Sequence, residues 1–290
     1  MSNIFSMVTI KRSHNYTNYA LKSFFKNTIL NNDDEFFLID NDGCDHKEYI
    51  SNKKIKIIIN KSPLSIAENI NQIIDKAIEK RKNLIFLNND VIFTKNWFLP
   101  LHENNKDVSI PVNNQIFPYS SDCKNLQLKV TMSLKDFNDN YLLLDQIVET
   151  HIKKFKSNQK AQGLLMPFFC FKLPHKILKD VGYFDTNFVH GGEDVDYRIR
   201  CIKKGYDVNF LSNSYLLHFH GKSSWDGGET TIEIKARDKL YTEVFLNKWG
   251  NALTKIFILR KDFFEILKEK KLNEIFQQGK FNQLIKIILN

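Results

Sequence analysis

Residues 84–90 have the sequence Leu-Ile-Phe-Leu-Asn-Asn-Asp, in which four apolar residues are followed at once by three polar ones. The apolar run predicts a buried strand over Leu84–Leu87. A carboxylate such as Asp90 at a strand end, beside the neutral amides of Asn88 and Asn89, is able to hold a divalent cation together with substrate phosphates. Because Asn and Asp are also common in turns, this segment alone leaves a plain turn as the alternative.

The residues before this strand alternate between short apolar runs and helical patterns. Three further strands are predicted, at Ile4–Ile10, Phe36–Ile39 and Ile55–Ile59. The helical spacing of apolar residues predicts one helix around Tyr19–Phe25 and a second helix that Pro63 opens. Strands and helices joined in this order by short connections indicate an α/β domain with a largely parallel central sheet, flanked by helices.

Polar side chains follow three of these strands. Lys11–Asn15 comes after the first strand, Asp40–Asp42 after the second, and Asn88–Asp90 after the fourth. Ligands of open α/β sheets bind beyond the carboxyl ends of the strands. The sequence therefore predicts a binding site at this edge of the sheet, before any family is considered.

Patterning is weaker after residue 100 and then returns. We expect a strand at Leu126–Met132, a helix from Tyr141 to Phe155, an apolar segment at Leu164–Leu173, a helix over Glu193–Lys204, and strand-like segments at Val208–Leu211 and Ser214–Phe219. The tail from Thr231 is expected to form two or three helices. The predicted organisation is an α/β domain over 1–228, with halves 1–100 and 101–228, and a helical extension over 229–290.

The segment Gly191–Asp196 carries three carboxylates within four residues, Glu193, Asp194 and Asp196. Their mutual repulsion is partly offset if they begin a helix, where the helix dipole favours negative charge. The preceding glycines let a ligand approach the backbone closely, and a carboxylate placed there is able to accept a proton. An ordinary acidic helix start is the alternative.

His218 and His220 lie two residues apart at the last strand-like segment, where we expect them to point to opposite faces, and a short polar run follows them. We expect one histidine to reach a metal ion rather than both to share it, although a packed or surface histidine is the more common case. The run Gly221–Ser224 offers backbone, hydroxyl and ammonium groups to a phosphate, but it lacks the spacing of a P-loop. Trp225 follows it in a glycine-rich loop.

Composition limits the class of protein. The chain has 290 residues, 42% of them apolar, which is enough for a full core. The net charge of +9 suits a phosphate-bearing ligand, but the lysines are dispersed, so nucleic acid is not the expected partner. Four widely spaced cysteines predict free thiols. Without a signal-peptide pattern or a run of ~20 apolar residues, a cytoplasmic protein is expected.

From about Ile4 to Ser224 these segments together resemble the family-2 inverting glycosyltransferases, which have the GT-A fold. The segment Leu87–Val91 is similar to the LNND variant of the family's DxD metal motif. The signature VGxFD, EDxD, R and GY is matched in order by Val181–Asp185, Glu193–Asp196, Arg200 and Gly205-Tyr206. Asp40 matches the acidic residue that reads a uracil or thymine ring, and the helix carrying Ala67 and Asn69 is similar to the family's A-x-N helix.

The resemblance implies roles for particular residues. Asp90 would hold Mn²⁺ or Mg²⁺ on the donor diphosphate together with a histidine. His218 is the preferred histidine, and His220 is the second choice. Asp194 would be the general base, and Glu193 would orient sugar hydroxyls. The nucleotide-sugar donor would be bound by Arg12, Asp40, Asn69, Asn88, Asn89, Lys222, Ser223 and Trp225.

The resemblance also implies a UDP- or dTDP-sugar donor, a glycan or lipid-linked acceptor, and a place in bacterial surface polysaccharide synthesis. The basic helices of the tail are expected to pack on the catalytic domain; peripheral contact with an anionic membrane or a homodimer are the alternatives. Two other classes of function remain open: a nucleotidyltransferase of similar fold and a non-catalytic nucleotide-sugar-binding or scaffold protein.

Overall fold

The computed structural model describes residues 2–114, 128–155, 159–189, 191–222, 230–261 and 263–290. In these ranges nine strands form one sheet. The strands are β1 (Asn3–Thr9), β2 (Glu35–Asp40), β3 (Ile55–Ile59), β4 (Asn83–Leu87), β5 (Val91–Phe93), β6 (Val108–Asn113), β7 (Lys160–Ala161), β8 (Cys170–Leu173) and β9 (Val208–His218). Their order is β3-β2-β1-β4-β8-β6-β9-β5, and β7 pairs with β9.

Strands β1 to β4 are parallel to one another. In the order β3-β2-β1-β4, each strand pairs with its neighbour in parallel, and Thr9 of β1 lies opposite Asp40 of β2. Their carboxyl ends consequently meet at one edge of the sheet. The predicted α/β fold, with the sheet flanked by helices, is confirmed, and the three polar segments that follow β1, β2 and β4 lie along this edge.

The second half of the sheet is mixed. Strand β8 is antiparallel to β4 and β6, β6 and β9 are parallel, and β5 and β7 run antiparallel to β9. The two strand-like segments predicted at Val208–Leu211 and Ser214–Phe219 are one continuous strand. The reason is that Ser212, which is fully buried between them, has its polar groups satisfied: its amide donates to the Gln159 carbonyl at 2.9 Å, and its hydroxyl accepts from the Gln159 amide at 2.8 Å.

Helices cover both sides of the sheet and form the C-terminal part. They span His14–Asn27, Ile66–Glu79, Leu99–Glu103, Leu134–Phe137, Tyr141–Ile152, His175–Val181, Glu193–Lys203, Thr231–Leu253, Phe263–Ile266, Lys270–Gln277 and Phe281–Leu289. A π-helical segment covers Thr254–Leu259, and 3-10 turns cover Lys11–Ser13 and His46–Glu48. The tail therefore has more helices than the two or three predicted.

Two predicted boundaries are corrected. The helix expected to open at Pro63 begins at Ile66, because Ser65 caps it: Ser65 Oγ accepts from the Glu68 amide at 3.2 Å, and the Glu68 carboxylate accepts from the Ser65 amide at 2.8 Å. Residues 128–132 of the predicted strand Leu126–Met132 do not form a strand. The first two residues of that prediction lie outside the described residues.

The buried residues form two hydrophobic clusters. The larger one surrounds the sheet and includes Trp97, which is fully buried as expected of a core residue. The second joins the helix Glu193–Lys203, through Ile199 and Ile202, to residues of the C-terminal helices such as Phe245 and Phe281. The C-terminal helices thus pack on the helix that carries the acidic cluster. Among the helices that the structure describes, none has the length and hydrophobicity required to cross a bilayer.

Candidate functional site

Asp40 lies at the end of β2 and is fully buried. Its Oδ2 accepts hydrogen bonds from the amides of Asp45 (3.1 Å) and His46 (2.9 Å), and it lies 2.6 Å from His46 Nδ1. Burial acts to raise the pKa of Asp40, but the hydrogen bonds from His46 outweigh it, so the pKa is lowered and the group is a carboxylate. Within the described residues its second oxygen, Oδ1, has no hydrogen-bond partner.

A buried carboxylate oxygen without a partner is costly, since burial removes it from water. A ligand that donates an N–H to Oδ1 would remove that cost. The contact of Asp40 with the N–H edge of a pyrimidine base agrees with this chemistry and stays a prediction.

A chain of hydrogen bonds connects the Asp40 loop to the Asn88–Asp90 segment. The Thr9 hydroxyl donates to Asp45 Oδ2 and lies 2.8 Å from the Thr17 hydroxyl, and Asn89 Nδ2 donates to Thr17 at 2.9 Å. Asn89 Nδ2 also donates to Ser13 Oγ at 2.7 Å. Asn89 therefore holds the segment before Asp90 against the first helix, whereas Asn88 is partly exposed beside it.

The side chain of Asn69 is used within the protein. Its Nδ2 donates to Asn41 Oδ1 at 3.0 Å and to the Leu64 and Ser65 carbonyls, and its Oδ1 accepts from Asn60 at 2.8 Å. Asn69 thus ties the loop after β2 to the start of its own helix. The structure places it as a support for the Asp40 loop; direct contact with a nucleotide stays a prediction.

Asp90 is brought together with the end of β9 across 128 residues of sequence. Its Oδ1 lies 3.1 Å from His218 Nε2, and its Oδ2 accepts from the Lys222 amide at 3.2 Å. Asp90 is 1% exposed. Burial acts to raise its pKa, yet the adjacent His218 lowers it overall, so Asp90 is a buried carboxylate.

The two histidines lie side by side, with ring centroids 3.9 Å apart. The expectation that the two rings point to opposite faces is wrong, whereas the expectation that only one of them reaches a metal stays a prediction. His220 itself lies beyond the strand with φ of +57°, an unusual value for a residue other than glycine. Burial, followed by the charge of His218, lowers the pKa of His220 to about 4, so its imidazole is neutral at physiological pH.

The donor atoms of this cluster suit a divalent cation in type. His218 Nδ1 and His220 Nε2 are buried and have no hydrogen-bond partner among the described residues, and neutral imidazole and carboxylate are both metal ligands. In the described ranges, however, no three His, Cys, Asp or Glu side chains are already arranged as a coordination shell. The residues fit the predicted Mn²⁺ or Mg²⁺ in chemistry, and the ring nitrogens are the atoms that would have to reach it.

Glu193 and Asp194 begin the helix Glu193–Lys203, directly after Gly192 with φ of +87°. Both side chains are half-buried, and Glu193 Oε2 has no partner among the described residues. Burial, and then the neighbouring Asp194, raises the pKa of Glu193 to about 8, while burial also raises the pKa of Asp194. A carboxyl group with a raised pKa is suited to accept a proton near neutral pH.

Phe168 and Phe169 connect the two groups of acids. The Phe168 backbone lies close enough to the Asp194 carboxyl group to act to lower its pKa. The Phe169 carbonyl accepts from the Asn88 amide at 2.8 Å, and the Phe169 ring stacks on His218 with centroids 4.7 Å apart. Asp194 and His218, the partner of Asp90, therefore contact two adjacent residues of the chain.

The third carboxylate of the acidic segment has a different environment. Asp196 is fully buried; it accepts from Arg200 Nε at 2.9 Å, from Lys248 Nζ at 2.8 Å and from Trp249 Nε1 at 2.8 Å. The paired carboxylate is an anchor between the helix Glu193–Lys203 and the helix Thr231–Leu253. No sequence pattern predicts this role, since Lys248 and Trp249 lie outside the segments that resemble a known family.

The remaining residues predicted to bind the donor are Arg12, Lys222, Ser223 and Trp225. Arg12 is exposed on the 3-10 turn after β1, and the Lys222 amide is held by Asp90. Ser223 and Trp225 lie outside the described residues, so their predicted contacts stay predictions. Tyr16 was missed: its ring centroid lies 5.5 Å from that of Phe219, and its pKa is raised by burial and by the charge of Asp90.

No protein-family model and no curated protein matches the sequence. Solved structures do match the fold. The crystal structure of GalNAc-T7 with UDP, GalNAc and Mn²⁺ is similar with a TM-score of 0.61 and 16% identity, over 97% of this chain and 55% of that one. S. aureus TarS in complex with UDP-GlcNAc has a TM-score of 0.54 and 14% identity, over 98% and 82% of the two chains. This chain spans about half the length of the GalNAc-T7 chain, and the similarity shows a GT-A-like fold.

Proposed function

We propose that this protein is an inverting glycosyltransferase, which moves a sugar from a nucleotide diphosphate donor to an acceptor hydroxyl. The observation that carries the proposal is that Asp194 contacts Phe168 while His218, the partner of Asp90, stacks on the adjacent Phe169, whose carbonyl accepts from the amide just after β4. Its support from outside the chain is the fold, which is shared with structures that contain UDP or a UDP-sugar.

Donor binding is assigned to the strand ends. The free Oδ1 of Asp40 accepts the ring N–H of a uracil or thymine base, and the loop of Arg12 faces the same edge. The diphosphate lies toward Asp90, His218 and His220. A divalent cation held there would neutralise the charge that develops on the leaving diphosphate. Lys222, whose amide donates to Asp90, lies beside the phosphates.

The chemical step is assigned to the acidic helix start. Asp194 takes the proton of the acceptor hydroxyl as its oxygen forms a bond to the anomeric carbon. The bond from that carbon to the diphosphate oxygen breaks, and the nucleotide diphosphate leaves with the electron pair. Attack opposite the leaving group inverts the anomeric centre. A base positioned in this way is worth ~10²–10⁴-fold in rate, and Glu193 orients the sugar hydroxyls.

The finer parts of the proposal depend on the family resemblance. They are a UDP- or dTDP-sugar donor, a glycan or lipid-linked acceptor, a role in bacterial surface polysaccharide synthesis, and a cytoplasmic location that includes contact with the inner face of the membrane. Exposed apolar residues of the helix Thr231–Leu253, Ile232 (80%) and Leu240 (53%), support the membrane contact.

A donor screen tests the proposal. We expect a UDP- or dTDP-sugar with Mn²⁺ or Mg²⁺ to raise the melting temperature and to be slowly hydrolysed. Asp194→Asn should reduce hydrolysis and transfer by ~10²-fold or more while the nucleotide still binds. Asp90→Ala should remove the metal-dependent part of binding. Pyrophosphate formation from a nucleoside triphosphate would instead indicate a nucleotidyltransferase, and binding without any turnover would indicate a non-catalytic protein.

A further inference from the structure

The helix Thr231–Leu253 reaches the acidic cluster at two places. At its C-terminal end, Lys248 Nζ and Trp249 Nε1 each lie 2.8 Å from Asp196 Oδ1. About two turns earlier, Tyr241 contacts the glycines before the cluster: a Cβ on Gly191 or Gly192 would lie 3.5 Å from its ring. The helix Thr231–Leu253, which lies outside the segments with family resemblance, therefore contacts the acidic turn at two points.

Asp196 shares a helical turn with Asp194, and it is fully buried. Its neighbours are Arg200 on its own helix and Lys248 and Trp249 on the C-terminal helix; Lys248 also pairs with Asp185 at 2.5 Å. The groups around Asp194 are Glu193, Arg198 and Tyr241. Because two carboxylates so close together raise each other's cost of ionisation, the cation on Asp196 decides how much negative charge Asp194 meets.

We propose that Lys248 and Trp249 are positioning residues for Asp194. They hold Asp196 and fix the direction of the helix start, and Lys248 adds to Arg200 in offsetting the third carboxylate of the turn. The inference rests on the proposed function only in naming Asp194 the base; the structural link between the C-terminal helix and the acidic turn does not depend on it.

Two variants test the link. Lys248→Met removes the charge, and Trp249→Phe keeps the ring but removes the N–H; the second is also the substitute if the first does not fold. Lys239→Met is the matched control, because Lys239 lies on the same helix, is exposed, and pairs only loosely with Glu243 at 3.8 Å. The carboxyl titration of Asp194 is followed by ¹³C NMR in carboxyl-labelled protein, with the signal assigned from Asp194→Asn.

Lys248→Met should move the titration midpoint of Asp194 upward by about 0.5–1 pH unit, as expected for an unscreened charge at helical-turn distance in a protein interior. Trp249→Phe should reduce kcat by about tenfold, with the donor KM within about twofold, because the base is displaced while the donor site is not. The acidic limb of kcat in Lys248→Met should shift with the NMR midpoint.

An Asp194 midpoint in Lys248→Met equal to that of the wild type would overturn the proposal. An equal shift in Lys239→Met would also overturn it, since the effect would then be one of overall charge. If the wild type transfers no sugar from any donor, the proposed function fails, and the NMR midpoint still decides the positioning role.

Discussion

Replacing Glu193 by Gln should flatten the dependence of stability on pH. Burial raises the pKa of Glu193 from 4.5 to about 8. Between these values the folded protein keeps a proton that the unfolded chain has released, so the free energy of unfolding falls as pH rises through this window. Gln has nearly the same shape and does not titrate, so the variant lacks this loss.

The size of the effect follows from the same pKa. One pH unit corresponds to about 1.4 kcal/mol, so the full interval sets an upper limit of about 5 kcal/mol. Glu193 is half-buried and shares its environment with Asp194, which reduces the expected value to about 1–3 kcal/mol at pH 8. At pH 4.5 wild type and Glu193→Gln should be nearly equal in stability.

Urea unfolding at several pH values between 4.5 and 8 measures this difference, provided that the m-value is unchanged. Glu103→Gln is the control, because it makes the same chemical change on an exposed side chain. Parallel stability curves for wild type and Glu193→Gln across the whole pH range would refute the reasoning, because Glu193 would then titrate alike in the folded and unfolded states.

Three further predictions concern other parts of the molecule. Asp40→Asn should weaken binding of UDP by about 10–100-fold in calorimetry, since it removes a charged acceptor; unchanged affinity would exclude Asp40 from the base site. Ser65→Ala should lower the free energy of unfolding by about 1 kcal/mol through loss of the helix cap, and an unaltered urea midpoint would contradict this. Replacing Ile232 and Leu240 together by Ser should reduce flotation with anionic liposomes, and equal flotation would argue against membrane contact.

Local patterns were enough to predict the sheet edge. Strands β1–β4 were predicted from apolar runs of a few residues. The polar residues that follow three of these strands come directly after the runs in the sequence. The same patterns wrongly predicted two separate segments, Val208–Leu211 and Ser214–Phe219. The buried Ser212 lies between them, and its hydrogen bonds to Gln159 let the strand continue. A periodicity argument has no access to a partner that lies 53 residues away.

The assembly of the site depends on such distant partners. Asp90 meets the Lys222 amide across 132 residues, and Phe168–Phe169 joins both acidic groups from a third part of the chain. Neither contact leaves a local pattern, so the sequence supplied the acids but not the dipeptide that both groups contact. Family resemblance supplied candidate residues because it carries information about positions far apart in the chain. Periodicity did not supply them, because it carries only local information.

The three carboxylates of one helical turn have different chemistry because of their surroundings. Asp196 is fully buried and is held by hydrogen bonds from a lysine, an arginine and an indole N–H. Glu193 and Asp194 are buried with few such partners, so their pKa values rise. The same acidic segment thus provides one carboxyl group that anchors the C-terminal helix and two carboxyl groups with raised pKa values. A division of this kind between neighbouring carboxyl groups is what acid–base chemistry at neutral pH requires.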